Sequence, residues 1–140
     1  MAPLLSCARN PRETLGVRGS ALAPCPASPN CVSSDAADKA HEVAPFALRV
    51  APAEAWEALR LAVSALPRTE IVSDSGQYLH AECRSALFRF VDDLELLLRP
   101  DEGTIAVRSA SRLGSSDLGV NRSRVETLRQ SLVSAGVVEP

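Results

Sequence analysis

The sequence predicts an α+β domain in which an antiparallel sheet of about five strands is packed by two helices. Four strand-like segments follow one another between Thr69 and Arg112, and only short turns separate them. One helical apolar stripe precedes these segments and another follows them. Consecutive strands joined by short turns pair antiparallel, and helices that pack on such a sheet define the α+β class. We therefore expect the order β-α-β-β-β-β-α over residues 46–137, after an irregular, proline-rich N-terminal arm.

The first two elements are predicted from Phe46 onward. Phe46 to Val50 forms a short strand, and Pro52 suits the first turn of a helix, where its missing N–H is not needed. The helix is indicated by an apolar stripe at helical spacing, formed by Trp56, Leu59, Val63 and Leu66. Pro67 is expected to end it.

The four meander strands are predicted at Thr69–Ser73, Tyr78–Arg84, Phe88–Leu98 and Thr104–Arg112. Alternation along the second strand places small and apolar side chains on one face, and Tyr78, His80, Glu82 and Arg84 on the other. In the last strand Ile105 and Val107 should point inward and Arg108 and Arg112 outward. Asp92 interrupts the apolar set of the third strand, so we expect a bulge or break near Asp92–Asp93.

The last helix has clear boundary signals. Asn121 is a favourable N-cap residue, and Val120 and Val125 are spaced for a hydrophobic staple. A buried stripe is predicted at Val125, Leu128 and Leu132. Gly136 is a natural C-terminal stop.

Composition bounds the class of protein. A chain of 140 residues with 46% apolar residues suits one domain with a real core. The net charge of −2 gives no reason to expect nucleic acid or an anionic membrane as partner. The chain contains no run of 18 apolar residues, the length that would indicate a transmembrane helix.

The N-terminal region indicates export. Residues 1–20 are interpreted as a signal remnant or disordered arm, because residues 4–7 match the end of a bacterial lipoprotein signal with Cys7 as the lipidated residue. The basic and apolar regions that should come before such a site are absent, so a chance match is the alternative. Residues 21–45 form a segment rich in cysteine and proline. A Cys25–Cys31 disulfide fits an exported protein, whereas a zinc site with His41 or Cys83, or free thiols, are alternatives.

Charges on the third and fourth meander strands complement one another. If Arg99 lies opposite Thr104, then Glu95 lies opposite Arg108, and Asp93 lies near Arg112. This pattern indicates internal charge matching. His80 and Glu82 share a strand face and could form an acid–base pair, but a solvated polar face is the simpler interpretation. Cys83 is interpreted as a small core residue.

The segment from Arg108 to Arg124 is the candidate ligand site. Free N–H groups at the first turn of the last helix and nearby guanidinium groups could hold a carboxylate or phosphate. The candidate residues are Arg108, Arg112, Ser116, Asp117, Asn121 and Arg122. In the alternative interpretation, Asp117 and Asn121 order the turn and the arginines tie the sheet together.

Three motifs resemble one known family. They are L-x-P-C-P-x-S-P-N-C-V-S-S from Leu22, A-E-C-R-S-x-L-F-R-F-V-D-D from Ala81 and V-R-S-A-S-R-x-G-x-S-D-x-G-x-N-R-x-R from Val107. Together they resemble the bacterial and plastid family catalogued as domain of unknown function 1499. The resemblance implies a signal peptide or lipoprotein signal in many members. It implies no activity.

The sequence therefore favours a non-catalytic binding or assembly module of the cell envelope. We expect an exported protein of the periplasm or outer envelope, with a cytoplasmic protein as the alternative if the signal is not genuine. No catalytic residue, cofactor or metal ion is predicted. The expected partner is an envelope protein or a small anionic ligand, with the membrane reached only through a possible lipid anchor. The alternative function is an enzyme or receptor for a small anion held by the Arg108–Arg124 turn.

Overall fold

The structure, a computed structural model, describes residues 14–87, 90–113 and 117–140. Within them lie eight strands, β1 to β8, and two α-helices, α1 and α2. In chain order these are β1 Val17–Arg18, β2 Ala21–Leu22, β3 Cys31–Ser33, β4 Phe46–Ala47, α1 Pro52–Ser64, β5 Thr69–Asp74, β6 Tyr78–Arg84, β7 Val91–Arg99, β8 Thr104–Ser111 and α2 Val120–Ser134.

Six of the strands form one antiparallel sheet, which confirms the predicted α+β class. The order is β3-β8-β7-β6-β5, and β4 also pairs with β8. The short strands β1 and β2 pair only with each other. Residues 14–45 therefore contribute three short strands that their proline-rich composition did not predict.

The apolar core lies between one face of this sheet and the two helices. Helix α1 begins at Pro52, and its residues Trp56, Leu59 and Val63 are buried as the stripe predicted. Val125, Leu128 and Leu132 of α2 are likewise buried. The sheet contributes Leu79, Ala81, Leu94, Leu96, Ile105 and Val107. None of the described helices is both long and apolar enough to cross a bilayer.

Two local predictions were wrong. Strand β7 pairs in unbroken register with β6 and β8 through Asp92 and Asp93, and the register shift lies in β5 between Ile71 and Ser73. No bulge is needed at Asp92, because Arg124 of α2 donates to its carboxylate at 2.8 Å on the helix side. The strand begins at Val91, and the predicted start at Phe88 falls outside the described residues.

The start of α2 also differs from the prediction. The N-cap is Gly119, whose φ of +80° lies in the left-handed region that favours glycine, and Asn121 is inside the helix. With Val120 as the first helical residue, the expected staple does not arise. Asp117 instead accepts hydrogen bonds from the N–H groups of Gly119 and Asn121. The predicted stop at Gly136 is confirmed, since its φ is +75° and α2 ends at Ser134.

Candidate functional site: the charged face of the sheet

The face of the sheet opposite the helices carries the charged side chains of the three central strands. Strand alternation brings them together, because the register of β6, β7 and β8 sets even-numbered residues of β6 and β8 beside odd-numbered residues of β7. We call this surface the polar face and define it by Tyr78, His80, Glu82, Asp93, Glu95, Arg108 and Arg112.

One half of the polar face is covered by the chain between residues 14 and 24. There Glu95, which is fully buried, accepts hydrogen bonds from Tyr78 Oη at 2.6 Å and Gly16 N at 2.7 Å. Arg108, also buried, donates to Glu95 Oε2 at 3.1 Å and to the Pro24 carbonyl at 3.2 Å. Burial, followed by the Glu95 charge, raises the pKa of Tyr78. The predicted pair of Glu95 and Arg108 is therefore present, but under a covering segment.

The other half of the polar face holds a network of four ionisable side chains. Arg112 donates to both oxygens of Asp93, at 2.8 Å each, and to Glu82 Oε2 at 2.7 Å. His80 Nε2 lies 2.7 Å from Asp93 Oδ1. We call these four residues the network. Their side chains remain 12% (His80), 20% (Glu82), 5% (Asp93) and 26% (Arg112) exposed, so they form a surface of partly sheltered charges.

The protonation states of the network follow from these contacts. Burial alone would raise the pKa of Asp93, but the hydrogen bonds and positive charge of Arg112 and His80 outweigh it and hold this pKa below its usual value. Hydrogen bonding to Asp93 in turn raises the pKa of Arg112. Asp93 and Arg112 are therefore a charged pair at neutral pH.

The network also contains the one group of metal-ligand type found among the described residues. Ligand atoms of His80, Glu82 and Asp93 all lie within 4.8 Å of one another. However, the Arg112 guanidinium already donates to both carboxylates. A cation would have to displace Arg112, so the geometry is that of a charge-compensated network.

The cysteines follow the sequence prediction. Cys25 and Cys31 form a disulfide with Cα atoms 5.7 Å apart. Because both thiols are consumed, the alternative zinc site with His41 or Cys83 is excluded. Cys83 is a buried free thiol whose pKa is raised, chiefly by burial, which fits its predicted role in the core.

The covering segment is fastened by further polar contacts. Arg99 donates to both carboxylate oxygens of Asp35 at 2.7 Å and to the Ser20 carbonyl at 2.9 Å. Asp35 also accepts from the Leu22 backbone N–H at 2.9 Å. Residues 14–24 are thus held against the sheet by hydrogen bonds to buried or partly buried charges.

The arginines between Arg108 and Arg124 do not converge on one point. Arg108 and Arg112 bond to carboxylates of the polar face, whereas Arg124 reaches Asp92 on the helix side. Arg122 donates to the backbone carbonyls of Glu42 and Ala40 at 2.8 and 3.2 Å. Each of the four guanidinium groups therefore has a partner within the chain.

Asp117 and Asn121 order the turn between β8 and α2. Asn121 is fully buried; it donates to Asp117, Ser111 and the Asn30 carbonyl, and it accepts from Ser109 and Arg124. It therefore joins α2 to β8 and to the segment before β3. The remaining predicted positions, Ser116 and Cys7, lie outside the described residues.

The sequence interpretation missed several partners. His80 was paired with Glu82, but its hydrogen bond is to Asp93 on the next strand. The bond from Tyr78 to Glu95 was not predicted either. Both depend on the register of β6 with β7, whose only signal is the alternation of polar residues on the two strands.

Comparison with known proteins gives one finding. A family model described as "Protein of unknown function (DUF1499)" matches residues 21–132. Neither the search of curated proteins nor the search of solved structures returned a match.

Proposed function

Because the chain belongs to the DUF1499 family of proteins of unknown function, we propose its function from its own geometry: it is a non-catalytic binding or assembly module of the cell envelope. Its docking surface is the half of the polar face that holds the network. The observation that carries the proposal is the network of His80, Glu82, Asp93 and Arg112, whose side chains are partly exposed and held by their own hydrogen bonds.

A network of this kind suits a protein partner. Its side chains are already fixed, so little side-chain entropy would be lost when a partner binds. The carboxylates of Asp93 and Glu82 lie on either side of the Arg112 guanidinium, so charges of opposite sign alternate. A surface with alternating charges selects a partner with the complementary order and disfavours others, which is how electrostatics provides specificity.

The alternative function, a small anion held by the Arg108–Arg124 turn, is less well supported. An anionic substrate would have to displace Asp93 and Glu82 from Arg112, or Glu95 from the buried Arg108. The same applies to an enzyme that uses these arginines as binders and His80 or Glu82 as acid–base. The internal partners therefore favour a docking surface over an anion receptor.

The cysteines support a location outside the cytoplasm. Structural disulfides persist in oxidising compartments, and Cys31, one half of the disulfide, is fully buried. We therefore propose that the protein works in the periplasm or outer envelope. Lipidation at Cys7 would be its anchor to the membrane.

The test is site-specific photocrosslinking in cells that export the full chain. A photoreactive amino acid replaces Ser73, an exposed residue whose strand position pairs with His80. A discrete adduct with a protein of the envelope is expected. The substitution Glu82→Gln, which removes one charge of the network and keeps the size of the side chain, should abolish the adduct while it lowers the melting temperature only slightly.

The matched control carries the same photoreactive group at Thr127, an exposed residue of α2 on the other side of the molecule. This position should give no adduct. Equal adducts at both positions, or an adduct that survives Glu82→Gln, would contradict a docking role for the network. Loss of the adduct together with a large fall in melting temperature would assign Glu82 a structural role instead.

A further inference from the structure

We propose that one end of the sheet is a second binding surface, which docks on the anionic phospholipid headgroups of a membrane. It consists of an apolar patch and a cleft lined by two arginines beside it. The inference goes beyond the proposed function, since it needs neither the network nor the lipid anchor at Cys7.

The apolar patch lies at the end of the sheet where β6 and β8, which both pair with β7, end. One loop joins β6 to β7 and the other follows β8; Arg112 N donates to the Val91 carbonyl at 3.1 Å, which brings the end of the first loop and the start of the second together. Of the eight large apolar side chains exposed among the described residues, five lie on these loops or at the start of α2. They are Leu87, Phe90, Leu113, Leu118 and Val120, which we call the sheet-end patch.

The exposure of these side chains indicates a projecting surface. Leu87 is 84% and Leu118 is 95% exposed, so almost nothing in the described chain shelters them. A groove that receives a peptide would shelter the residues along its walls. Projecting apolar side chains are suited to enter the boundary between headgroups and acyl chains, as in other interfacial proteins.

The cleft supplies the complementary charge. It is lined by Arg68, Thr69, Glu70, Arg84, Ser85 and Ala86. The cleft therefore adjoins the patch, because Ala86 directly precedes Leu87. Arg68 Nε donates to the Arg84 carbonyl at 2.8 Å, and Arg84 Nη2 donates to Glu82 at 3.2 Å. The other guanidinium N–H groups of both arginines have no partner among the described residues. They are the donors that phosphate oxygens require.

The cleft and the sheet-end patch each contain one residue with a strained backbone. Of the non-glycine residues in the described ranges, Arg68 and Leu118 have positive φ, at 50° and 55°. A residue with a side chain pays a steric penalty in this backbone conformation that glycine would avoid. Such residues cluster at functional sites. One of the two lines the cleft, and the other is the most exposed residue of the patch.

The combination identifies the partner. The net charge of −2 does not describe this surface, where two arginines with unused donors stand beside projecting leucines. An anionic phospholipid offers a phosphate to the arginines and an apolar boundary to the leucines. Each arginine near an anionic membrane surface strengthens membrane binding about fivefold.

The test is co-sedimentation of the oxidised full chain with vesicles of phosphatidylglycerol and phosphatidylcholine. Binding should require the anionic lipid and weaken as salt is added. The double substitution Arg68→Gln/Arg84→Gln should weaken binding about 25-fold. Leu87→Ser should weaken it about tenfold, and Glu70→Gln, which removes the acidic group of the cleft, should strengthen it.

The control is Arg18→Gln/Arg49→Gln, which removes the same charge from exposed positions in β1 and before α1. It should bind like the unmodified chain. Equal loss in both double variants, or no binding to anionic vesicles at low salt, would overturn the proposal. So would self-association in analytical ultracentrifugation that Leu87→Ser abolishes, because the patch would then belong to a second copy.

Discussion

The two faces of the central sheet are buried by different means, and adjacent residues of β7 show the contrast. Leu96 points to the helices and Glu95 points to the polar face, yet both are fully buried. Leu96 packs in the apolar core, whereas Glu95 depends on Tyr78, Gly16 and Arg108 for its hydrogen bonds. One face is stabilised by removal of apolar area from water, the other by the matching of charges and donors.

This difference decides how each face tolerates change. An apolar core accepts substitutions that preserve volume, because dispersion and burial have little directionality. A buried ion pair is only weakly stabilising as a whole, but removal of one partner leaves an uncompensated charge. The polar face should therefore be the less tolerant of single substitutions and the more tolerant of paired ones.

The largest expected effect is at the covered ion pair. Arg108→Met leaves Glu95 buried without its cation, so we expect the free energy of unfolding to fall by about 3–5 kcal/mol. The double variant Arg108→Met/Glu95→Leu should recover part of this loss, because neither charge remains buried while Tyr78 Oη and Gly16 N lose their acceptor. Denaturant unfolding of both variants measures the difference.

The apolar comparison is Leu96→Ala on the opposite face. It should cost about 2–5 kcal/mol through lost burial and a cavity, with little dependence on salt. If Arg108→Met and the double variant prove equally unstable, packing rather than charge pairing dominates the covered half of the polar face, and the contrast between the faces fails.

The next largest effect is at the joint between sheet and helix. Asn121→Ala would remove a buried amide that bonds to Asp117, Ser111, Ser109, Arg124 and the Asn30 carbonyl. We expect a loss of about 2–3 kcal/mol in chemical denaturation, because several buried groups lose a partner at once. Asp117→Ala removes the bonds to the Gly119 and Asn121 N–H groups and one of the bonds of the Asn121 amide, and it should cost about 1 kcal/mol. Equal losses would mean that the other bonds of the Asn121 amide contribute nothing to stability.

The third effect is removal of the disulfide, which should again act differently on the two faces of the sheet. Cys25→Ala/Cys31→Ala should lower the free energy of unfolding by about 2 kcal/mol, since the loop it closes is short. Pro24, whose carbonyl accepts from Arg108, adjoins Cys25. Amide exchange should therefore rise at Gly16 and Leu22 in the covering segment but stay unchanged at Leu96. A uniform rise across both faces would show that the disulfide does not fasten the cover specifically.

The sequence predicted the fold class and one strand register. The short turn between β7 and β8 fixes Arg99 opposite Thr104, and from that pair the positions of Glu95 and Arg108 follow by counting. The helical stripes were recovered because their spacing is a local property.

The remaining features depend on contacts between distant residues. Asn121 was assigned as a cap from its neighbours, but it bonds to the Asn30 carbonyl 91 residues away. Burial of Arg108 follows from residues 14–24, a segment without a periodic pattern. Local patterns therefore placed the charged residues on one face, whereas only the structure shows which half of that face residues 14–24 cover.

The smallest expected effect concerns pH and the loops that flank β3. His41 donates from Nδ1 to Asp38 at 2.6 Å and from Nε2 to the Ser28 carbonyl at 2.9 Å, so the imidazolium form satisfies both acceptors. The Ser28 carbonyl, followed by Asp38, raises the pKa of His41 above its usual value. A raised pKa stabilises the fold at pH values below about 6.5, and this contribution is lost as pH rises through the folded-state value.

The effect of pH on stability has the opposite sign for Asp93 of the network. Its pKa is lowered, so the stability that it contributes is lost as pH falls below about 4. The melting temperature should therefore be highest between these limits. His41→Gln should flatten the decline on the alkaline side, whereas Asp93→Asn should reduce the acid-side slope alone. If His41→Gln leaves the alkaline decline unchanged, the loops at β3 are not held by a protonated histidine.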